Sequence, residues 1–190
     1  MTQRYLKTGF GVYMNVNMAL NRLQDFDAKG FYVFTKRDLR RLFFDDTDAA
    51  FKQGVARLVK RRLLEQPTKG IYVYALSKNK GDRTIEKIAG ALRKHEYNYT
   101  SLESALSEYG VISQIPIDRI TVMTTGRRGT FKTSYGVIEF THTKRTPINI
   151  IENTVKMDHP LRMAKKTTAY RDLKRVGRNI DMVDRRALDE

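Results

Sequence analysis

The sequence predicts an α+β fold made of two parts. Apolar residues recur at helical spacing through most of the region from residue 14 to residue 60, whereas short β-branched and aromatic runs bounded by glycine dominate residues 120–141. Between these regions lies a polar stretch, Ser77 to Asp82, which has the composition of a linker. We therefore expect one domain at residues 1–76, a linker at 77–82 and a second domain at 83–190.

Composition restricts the classes of function that the chain can have. Its 190 residues can bury one sizeable core or two small ones, and the absence of cysteine excludes disulfides and thiol nucleophiles. No apolar run reaches the roughly 18 residues that a membrane-spanning helix needs, and Met1 to Phe10 lacks an apolar signal core. These features predict a cytoplasmic protein with no membrane partner.

The charge of the chain favours a nucleic-acid partner. It carries 36 Lys and Arg against 21 Asp and Glu, a net charge of +15. Residues 1–75 contribute +7, residues 76–155 contribute +4 and residues 156–190 contribute +4. Because every segment is basic, charge alone does not locate a binding surface, and the pattern of elements has to do so.

The first part begins with two predicted helices separated by a short strand. A helix from about Met14 to Phe26 has an apolar stripe of Val12, Val16, Ala19, Leu20 and Leu23. Phe31 to Phe34 reads as a strand, and Thr35 stands three residues before Asp38, as in a capping box. The second helix that follows buries Leu39, Leu42 and Phe43.

A third helix is predicted from about Asp48. Its apolar side holds Phe51, Val55, Leu58 and Val59, which leaves a basic and hydrogen-bonding outer side of Lys52, Gln53, Ala56, Arg57 and Lys60. Gly54 on this helix is expected to permit close approach of another helix. Gln66 to Gly70 then predicts a tight turn, and Ile71 to Ala75 a returning strand.

This order of elements is that of a winged helix-turn-helix, whose third helix enters the major groove of DNA. The residues expected to contact DNA are Lys36, Thr47, Lys52, Gln53, Arg57, Lys60, Thr68 and Lys69. The same basic face is also compatible with a solvated surface or with a module that binds protein.

The second part is predicted to contain helices and a small antiparallel sheet. A helix spans Thr84 to Lys94, and a T-x-x-E capping box at Thr100 and Glu103 opens another that ends at Gly110. Three runs, Ile120–Thr124, Thr130–Ser134 and Val137–Thr141, read as an antiparallel meander. A last helix has an inner stripe of Ala169, Leu173 and Val176.

From about Leu20 to Thr143, the chain resembles antitoxins of the AbiEi family from the bacterial AbiE abortive-infection, type IV toxin-antitoxin systems. The resemblance depends on three segments taken together: Arg57 to Leu64 leading to Lys69 to Tyr72, Tyr99 to Leu106, and Thr124 to Arg128 followed by Phe131 and Tyr135-Gly136. A weaker similarity covers Leu161 to Leu173.

The resemblance implies two tasks. In the family, the N-terminal winged helix represses its own operon by binding inverted repeats in the promoter, with two copies expected on the double-stranded DNA. The C-terminal domain opposes a nucleotidyltransferase-like toxin without forming a stable complex with it. These properties follow from the resemblance and not from composition or spacing.

Two candidate surfaces stand out in the second part. Arg127 and Arg128 lie between glycines at a predicted hairpin turn, where their guanidinium groups can clamp phosphates. Basic residues also surround the last helix, and those we single out as an antitoxicity or second nucleic-acid surface are Lys165, Lys166, Lys174 and Arg175. A soluble turn and a solvated helix face are the alternative interpretations.

Enzymatic activity is not expected, and no catalytic residue, cofactor or metal site is predicted. The sequence has no P-loop, no G-x-G-x-x-G and no H-x-x-x-H pairing. A metal-dependent nuclease remains the less favoured alternative: Asp118 and Glu139 suit its carboxylates, but Thr141 occupies the position of its lysine. A winged-helix regulator without a toxin partner is the other alternative.

Overall fold

The computed structural model describes residues 14–113 and 118–189. Val12 of the predicted first stripe and the amino-terminal Met1 to Phe10 lie outside this range. The chain divides into two compact units at the junction of Lys80 and Gly81, called unit 1 and unit 2 below. The predicted linker, residues 77–82, contains that junction.

The described part of unit 1, residues 14–80, contains three helices and a three-stranded antiparallel sheet. Its elements in chain order are α1 (Val16–Asp27), β1 (Val33–Thr35), α2 (Lys36–Leu42), α3 (Asp48–Lys60), β2 (Leu64–Thr68) and β3 (Ile71–Tyr74). The sheet order is β1-β3-β2, so the β2–β3 hairpin places its second strand in the middle. Leu23, Leu39 and Leu58, one from each helix, are fully buried in the core.

Local signals set the helix starts in unit 1. The predicted capping box is present: the Thr35 hydroxyl accepts from the Asp38 backbone N–H at 3.1 Å, and the Asp38 carboxylate accepts from the Thr35 N–H at 3.0 Å. Thr47 caps α3 by accepting from the Ala50 N–H at 3.2 Å.

Two strand boundaries differ from the prediction. The strand expected at Phe31 to Phe34 is β1, which begins two residues later, because Val33, Phe34 and Thr35 pair with Val73, Tyr72 and Ile71 of β3. The residues Gln66 to Thr68 belong to β2 and not to the turn, which consists of Lys69 and Gly70 alone. Pro67 cannot donate a ladder hydrogen bond, and the register shifts between Glu65 and Thr68.

Gly54 of α3 is packed against Met14, the residue before the N-cap of α1. A Cβ at Gly54 would lie 2.9 Å from the Met14 sulfur and 3.1 Å from the Met14 Cβ. The expected close approach is therefore made by a side chain that precedes a helix, and not by another helix body.

The polar stretch after β3 is anchored to unit 1. The Ser77 hydroxyl donates to the carboxylate of the buried Asp27, and the Asn79 amide donates to the Asp27 carbonyl at 2.7 Å and to its carboxylate at 2.9 Å. The Lys78 N–H donates to the same carboxylate at 3.3 Å. The first three residues of the predicted linker are thus part of the folded unit.

Unit 2 is a six-stranded sheet with helices. Its elements in chain order are α4 (Thr84–Leu92), β4 (Asn98–Thr100), α5 (Leu102–Glu108), β5 (Arg119–Thr124), β6 (Gly129–Thr133), β7 (Gly136–His142), α6 (Pro147–Glu152), β8 (Thr154–Val155), β9 (Arg162–Ala164), α7 (Lys166–Val176), a 3₁₀ turn at Ile180–Met182 and α8 (Arg185–Asp189). The strand order is β6-β7-β5-β4-β9-β8. Leu102, Leu106, Met123 and Leu173 lie in its core.

The prediction of an antiparallel meander was wrong, because the sheet is mixed. β6 and β7 form the expected hairpin, but β7 lies between β6 and β5 and runs parallel to β5. β4 also pairs in parallel with β9. Strand order depends on contacts between distant segments, which the spacing of turn residues does not encode.

The predicted capping box at Thr100 and Glu103 was also wrong. Thr100 is the last residue of β4, and Ser101 is the N-cap of α5, without a side-chain cap hydrogen bond. The Glu103 carboxylate instead accepts from the Arg178 guanidinium, with Nε at 2.8 Å, and from the Asn179 amide at 2.8 Å. A partner 75 residues away has replaced the local one. Within the described residues, no helix combines the length and the apolar character that crossing a membrane requires.

Candidate nucleic-acid interface

The outward side of α3 is polar, basic and free of large apolar groups. Phe51, Val55 and Leu58 are buried against unit 1. Apart from Asp48 in the first turn, the exposed positions are Ala49, Lys52, Gln53, Ala56 and Lys60, called the α3 surface below. This separation follows from the helical period of the apolar residues, which fixes the side that faces the core.

A groove runs along one side of the α3 surface toward the hairpin. Its volume is about 410 Å³. Lys52, Ala56 and Lys60 line it from α3 together with the apolar Phe51, Val55 and Val59 of the same helix. Lys36 lines it from the start of α2, Gln66 from β2 and Tyr72 from β3. The fold therefore brings together three of the predicted DNA-contacting lysines, from two helices, beside the hairpin.

The lysines of this groove and of the hairpin tip are not neutralised by the protein. Among the described residues, Lys36, Lys52, Lys60 and Lys69 take part in no ion pair, and all four are exposed. The nearest acidic residue on α3 is Asp48 in its first turn, which pairs with Arg40 at 3.2 Å. Unpaired cations on one side of a helix are available to an external anion.

The remaining predicted residues of unit 1 lie at or beyond the edges of the groove. Lys69 is exposed at the tip of the hairpin, where Gly70 has a φ of +82°, and Thr68 is half-buried at the end of β2. Thr47 is exposed and caps α3. Gln53 is on the α3 surface but does not line the groove.

Arg57 is half-buried, and its charge acts on Asp46. Burial raises the pKa of Asp46 above its ordinary value of 3.8, and Arg22, Arg40 and Arg57 partly oppose that rise. Asp46 is 7% exposed, and its Oδ2 has no hydrogen-bond partner. Arg57 thus differs from Lys52 and Lys60 in having a neighbouring carboxylate.

Two exposed residues of this region were not among the residues predicted from the sequence to contact DNA. Gln66 projects from β2 into the groove, and Ala49 belongs to the α3 surface. Gln66 was assigned to a turn because Pro67 and Gly70 dominate that segment. Ala49 could have been found by extending the helical period one turn back from Lys52 and Gln53.

In unit 2, Arg127 and Arg128 are exposed but do not lie at a hairpin turn between paired strands, since β5 and β6 are separated by β7. Arg93 fixes this segment, because its guanidinium donates two hydrogen bonds to the Arg127 carbonyl, at 3.1 and 3.3 Å. Arg93 also stacks on Phe131 and Phe140, with its Cζ 5.1 and 4.7 Å from their ring centroids.

The four basic residues predicted around the last helix do not form one surface. Lys166 donates to the Ala187 carbonyl at 2.8 Å, and the Lys174 ammonium lies 5.6 Å from the ring centroid of Tyr170. Arg175 lies 3.9 Å from Asp172, and Lys165 is exposed at the N-cap of α7. Three of the four therefore already have partners of their own within unit 2.

The geometry around Glu139 does not resemble a nuclease metal site. One of its carboxylate oxygens accepts from Arg119 at 2.8 Å and the other accepts from Arg178. Asp118 is exposed, and its backbone carbonyl accepts from the Val137 N–H at 2.6 Å. No group of three or more His, Asp or Glu able to hold a metal occurs in the part of the chain that the structure describes.

A buried charge network was missed by sequence analysis. Asp172 of α7 is 1% exposed, and Arg145 Nη1 lies 2.8 and 2.9 Å from its two oxygens. The Ser101 hydroxyl donates to Asp172 at 2.9 Å, and Arg145 also donates to the Tyr99 hydroxyl at 2.6 Å. Burial and the Asp172 charge raise the pKa of Tyr99. The available signal was the position of Asp172, three residues after Ala169 on the inner stripe.

Comparison with known proteins gives little to add to this geometry. No protein-family model and no curated protein matches the chain. The chain is similar to the crystal structure of the RV2827C protein from Mycobacterium tuberculosis, with 16% sequence identity and a TM-score of 0.48 over 70% of this chain. The match spans 48% of that protein, about half its length.

Proposed function

We propose that the protein is a winged-helix repressor that binds double-stranded DNA in its own promoter. In this proposal α3 is the recognition helix, α2 is the helix that precedes it, and the β2–β3 hairpin is the wing. The order of elements in unit 1 supports this assignment. Two copies on an inverted repeat are expected, since each unit 1 presents one recognition helix.

One observation carries the proposal: the lysines of the groove and of the hairpin tip lie unpaired around the α3 surface. A merely solvated helix face commonly carries acidic residues among its lysines. On α3 the only acidic residue is Asp48, and it pairs with Arg40. A helix can enter the major groove only if outward side chains bond phosphates or base edges, and Lys52, Gln53 and Lys60 of α3 are of this kind.

For unit 2, we propose that it opposes a nucleotidyltransferase-like toxin in the cytoplasm, without catalysis, cofactor or a stable complex. The resemblance of Tyr99 to Leu106 and Thr124 to Arg128 to the AbiEi antitoxins supports this part. Arg127 and Arg128 are its candidate residues, because they are exposed on a segment that Arg93 holds in place.

The DNA-binding proposal is tested with the full-length protein and a duplex from the region upstream of its own reading frame. We expect the duplex to be retarded in a gel, and the double variant Lys52→Ala, Lys60→Ala to bind it at least tenfold more weakly. Lys132→Ala is the matched control, an exposed lysine of β6 in unit 2. Equal binding by the double variant and the wild type would reject α3 as the contact.

The division of tasks has a separate test. A fragment of residues 1–80, which retains the anchor of Ser77 and Asn79 on Asp27, is expected to retard the duplex but not to protect cells from the toxin. Protection by this fragment would place the antagonism in unit 1. A downstream nucleotidyltransferase reading frame supports the antitoxin, and an isolated gene supports the plain regulator. Metal-dependent cleavage of the duplex would support the nuclease.

A further inference from the structure

The α3 surface has a small apolar centre with polar flanks. At about 100° per residue, its five positions form one continuous arc. Ala49 and Ala56 are seven residues apart, roughly two turns, so they lie one above the other near the middle of the arc. Lys52 and Gln53 are adjacent in sequence and therefore flank this middle line on opposite sides. Lys60 lies at the carboxyl end of the helix.

We infer that this face reads a half-site in which Gln53 bonds an adenine and the methyl groups of Ala49 and Ala56 contact thymines. The inference rests on the proposed function and names the sequence class that the DNA site takes. A glutamine amide carries one acceptor and two donors, which match the N6 amino group and N7 of adenine in the major groove. Alanine offers the apolar contact that suits the 5-methyl group of thymine.

The small residues decide how closely the helix approaches the bases. A long side chain at the middle of the arc would hold the backbone of α3 away from the floor of the groove. With alanine at both positions, the flanking Gln53 can reach a base edge. Within the described residues the Gln53 side chain forms no hydrogen bond with the protein and is exposed, so its amide is available to a base.

A protein partner fits this face less well. The centres of protein–protein interfaces are enriched in aromatic residues and methionine and depleted of lysine. The α3 surface has no aromatic residue or methionine and two lysines. The chemistry of the face, with neutral small groups between cationic and amide side chains, matches the edge of a duplex.

The test begins with selection of the preferred site from a random duplex library by the full-length protein. Gln53→Ala is then compared with Gln24→Ala, an exposed glutamine of α1 that lies outside the α3 surface and its groove and serves as the matched control. We expect Gln53→Ala to lose the preference for adenine at one position, with discrimination falling roughly tenfold or more. Gln24→Ala should leave every base preference as it is in the wild type.

Modified bases give a second, independent measurement. Replacing the adenine by 7-deazaadenine, which lacks the N7 acceptor, should weaken the wild type several-fold and leave Gln53→Ala unaffected. Replacing the adjacent thymines by uracil should weaken the wild type, because the methyl contacts are lost. Ala56→Leu, at an exposed helical position, should reduce binding to the selected site but not binding to unrelated duplexes.

The failures of this inference and of the proposed function are distinguishable. If the wild type selects a site and Gln53→Ala retains every base preference, the inference is overturned while DNA binding stands. An equal effect of 7-deazaadenine on the wild type and on Gln53→Ala overturns it as well. If the wild type binds no duplex at low salt, the proposed function fails, and the inference fails with it.

Discussion

The lysines around the α3 surface in unit 1 and the bonded arginines of unit 2 have opposite environments. In unit 2, Arg145 bonds the buried Asp172, and Arg178 bonds the carboxylates of Glu103 and Glu139. In unit 1, the lysines of the groove and of the hairpin tip have no carboxylate partner among the described residues, and they are exposed. The arginines of unit 2 therefore hold elements together, whereas the lysines of unit 1 are free to meet an external anion.

This difference shows why net charge is a poor locator of a binding surface. Each of the three segments 1–75, 76–155 and 156–190 is basic, but a cation that is bonded inside the fold contributes little to the field that a phosphate meets. A surface is identified by unpaired cations that share one face. By this criterion, the α3 surface and its groove are favoured over the four basic residues of the last helix.

The largest effect is expected from breaking the buried network of unit 2. Asp172→Ala leaves the Arg145 charge without its partner and removes the acceptor of Ser101, so the free energy of unfolding should fall by about 3–5 kcal/mol. Denaturant unfolding measures this change. The control is Arg175→Ala, whose guanidinium is half exposed and 3.9 Å from Asp172; it should cost less than about 1 kcal/mol. Equal losses for the two variants would show that burial of the network does not matter.

Effects of intermediate size on stability are expected at one glycine in the hairpin of each unit. Gly136 has a φ of +113°, and a Cβ there would lie 2.6 Å from the Asp118 carbonyl oxygen, whereas Gly70 has a φ of +82° with nothing within 4 Å. Gly136→Ala should cost about 3 kcal/mol or more, from strain and a backbone clash together, and Gly70→Ala about 1 kcal/mol, from strain alone. Thermal unfolding of both variants measures which substitution loses more stability. A larger loss for Gly70→Ala than for Gly136→Ala would contradict the prediction.

The smallest effect concerns Asp46. The pKa of this carboxyl is raised in the folded state, so between pH 3.8 and the raised pKa the folded protein binds more protons than the unfolded chain. The free energy of unfolding therefore falls as the pH rises from 3.8 through the raised pKa. Asp46→Asn should therefore be more stable than the wild type at pH 7 and lose this advantage below pH 3.8. Denaturant unfolding of the variant and the wild type at pH 7 and below pH 3.8 measures this difference in stability. An Asn variant that is less stable at pH 7 would mean that the nearby arginines outweigh burial.

The parts of unit 1 that sequence could predict are those that depend on nearest neighbours. The Thr35 capping box, the Thr47 cap and the stripe of Phe51, Val55 and Leu58 are all contained within one or two helical turns. The edges of the α3 surface were harder to assign: Arg57 lies one helical turn after Gln53, but it also lies near Asp46, which only the tertiary structure reveals.

In unit 2 the wrong or missing predictions have one physical cause, which is competition from partners that are distant in the sequence. Thr100 pairs with Val122 and Met163 in the sheet, so it cannot cap α5. Strand β7 takes the place beside β5 that a meander would give to β6. Asp172 and Arg145 are 27 residues apart in the chain, and no local spacing connects them.

The most direct measurement of the central claim is the salt dependence of binding to the duplex. For a phosphate contact, replacing one lysine by alanine lowers the magnitude of the slope of log K against log[salt] by about one. We predict this change for Lys52→Ala, Lys60→Ala and Lys69→Ala, and no change for Lys132→Ala in unit 2. Slopes equal to that of the wild type for all three unit 1 variants would contradict the claim that this face lies against DNA.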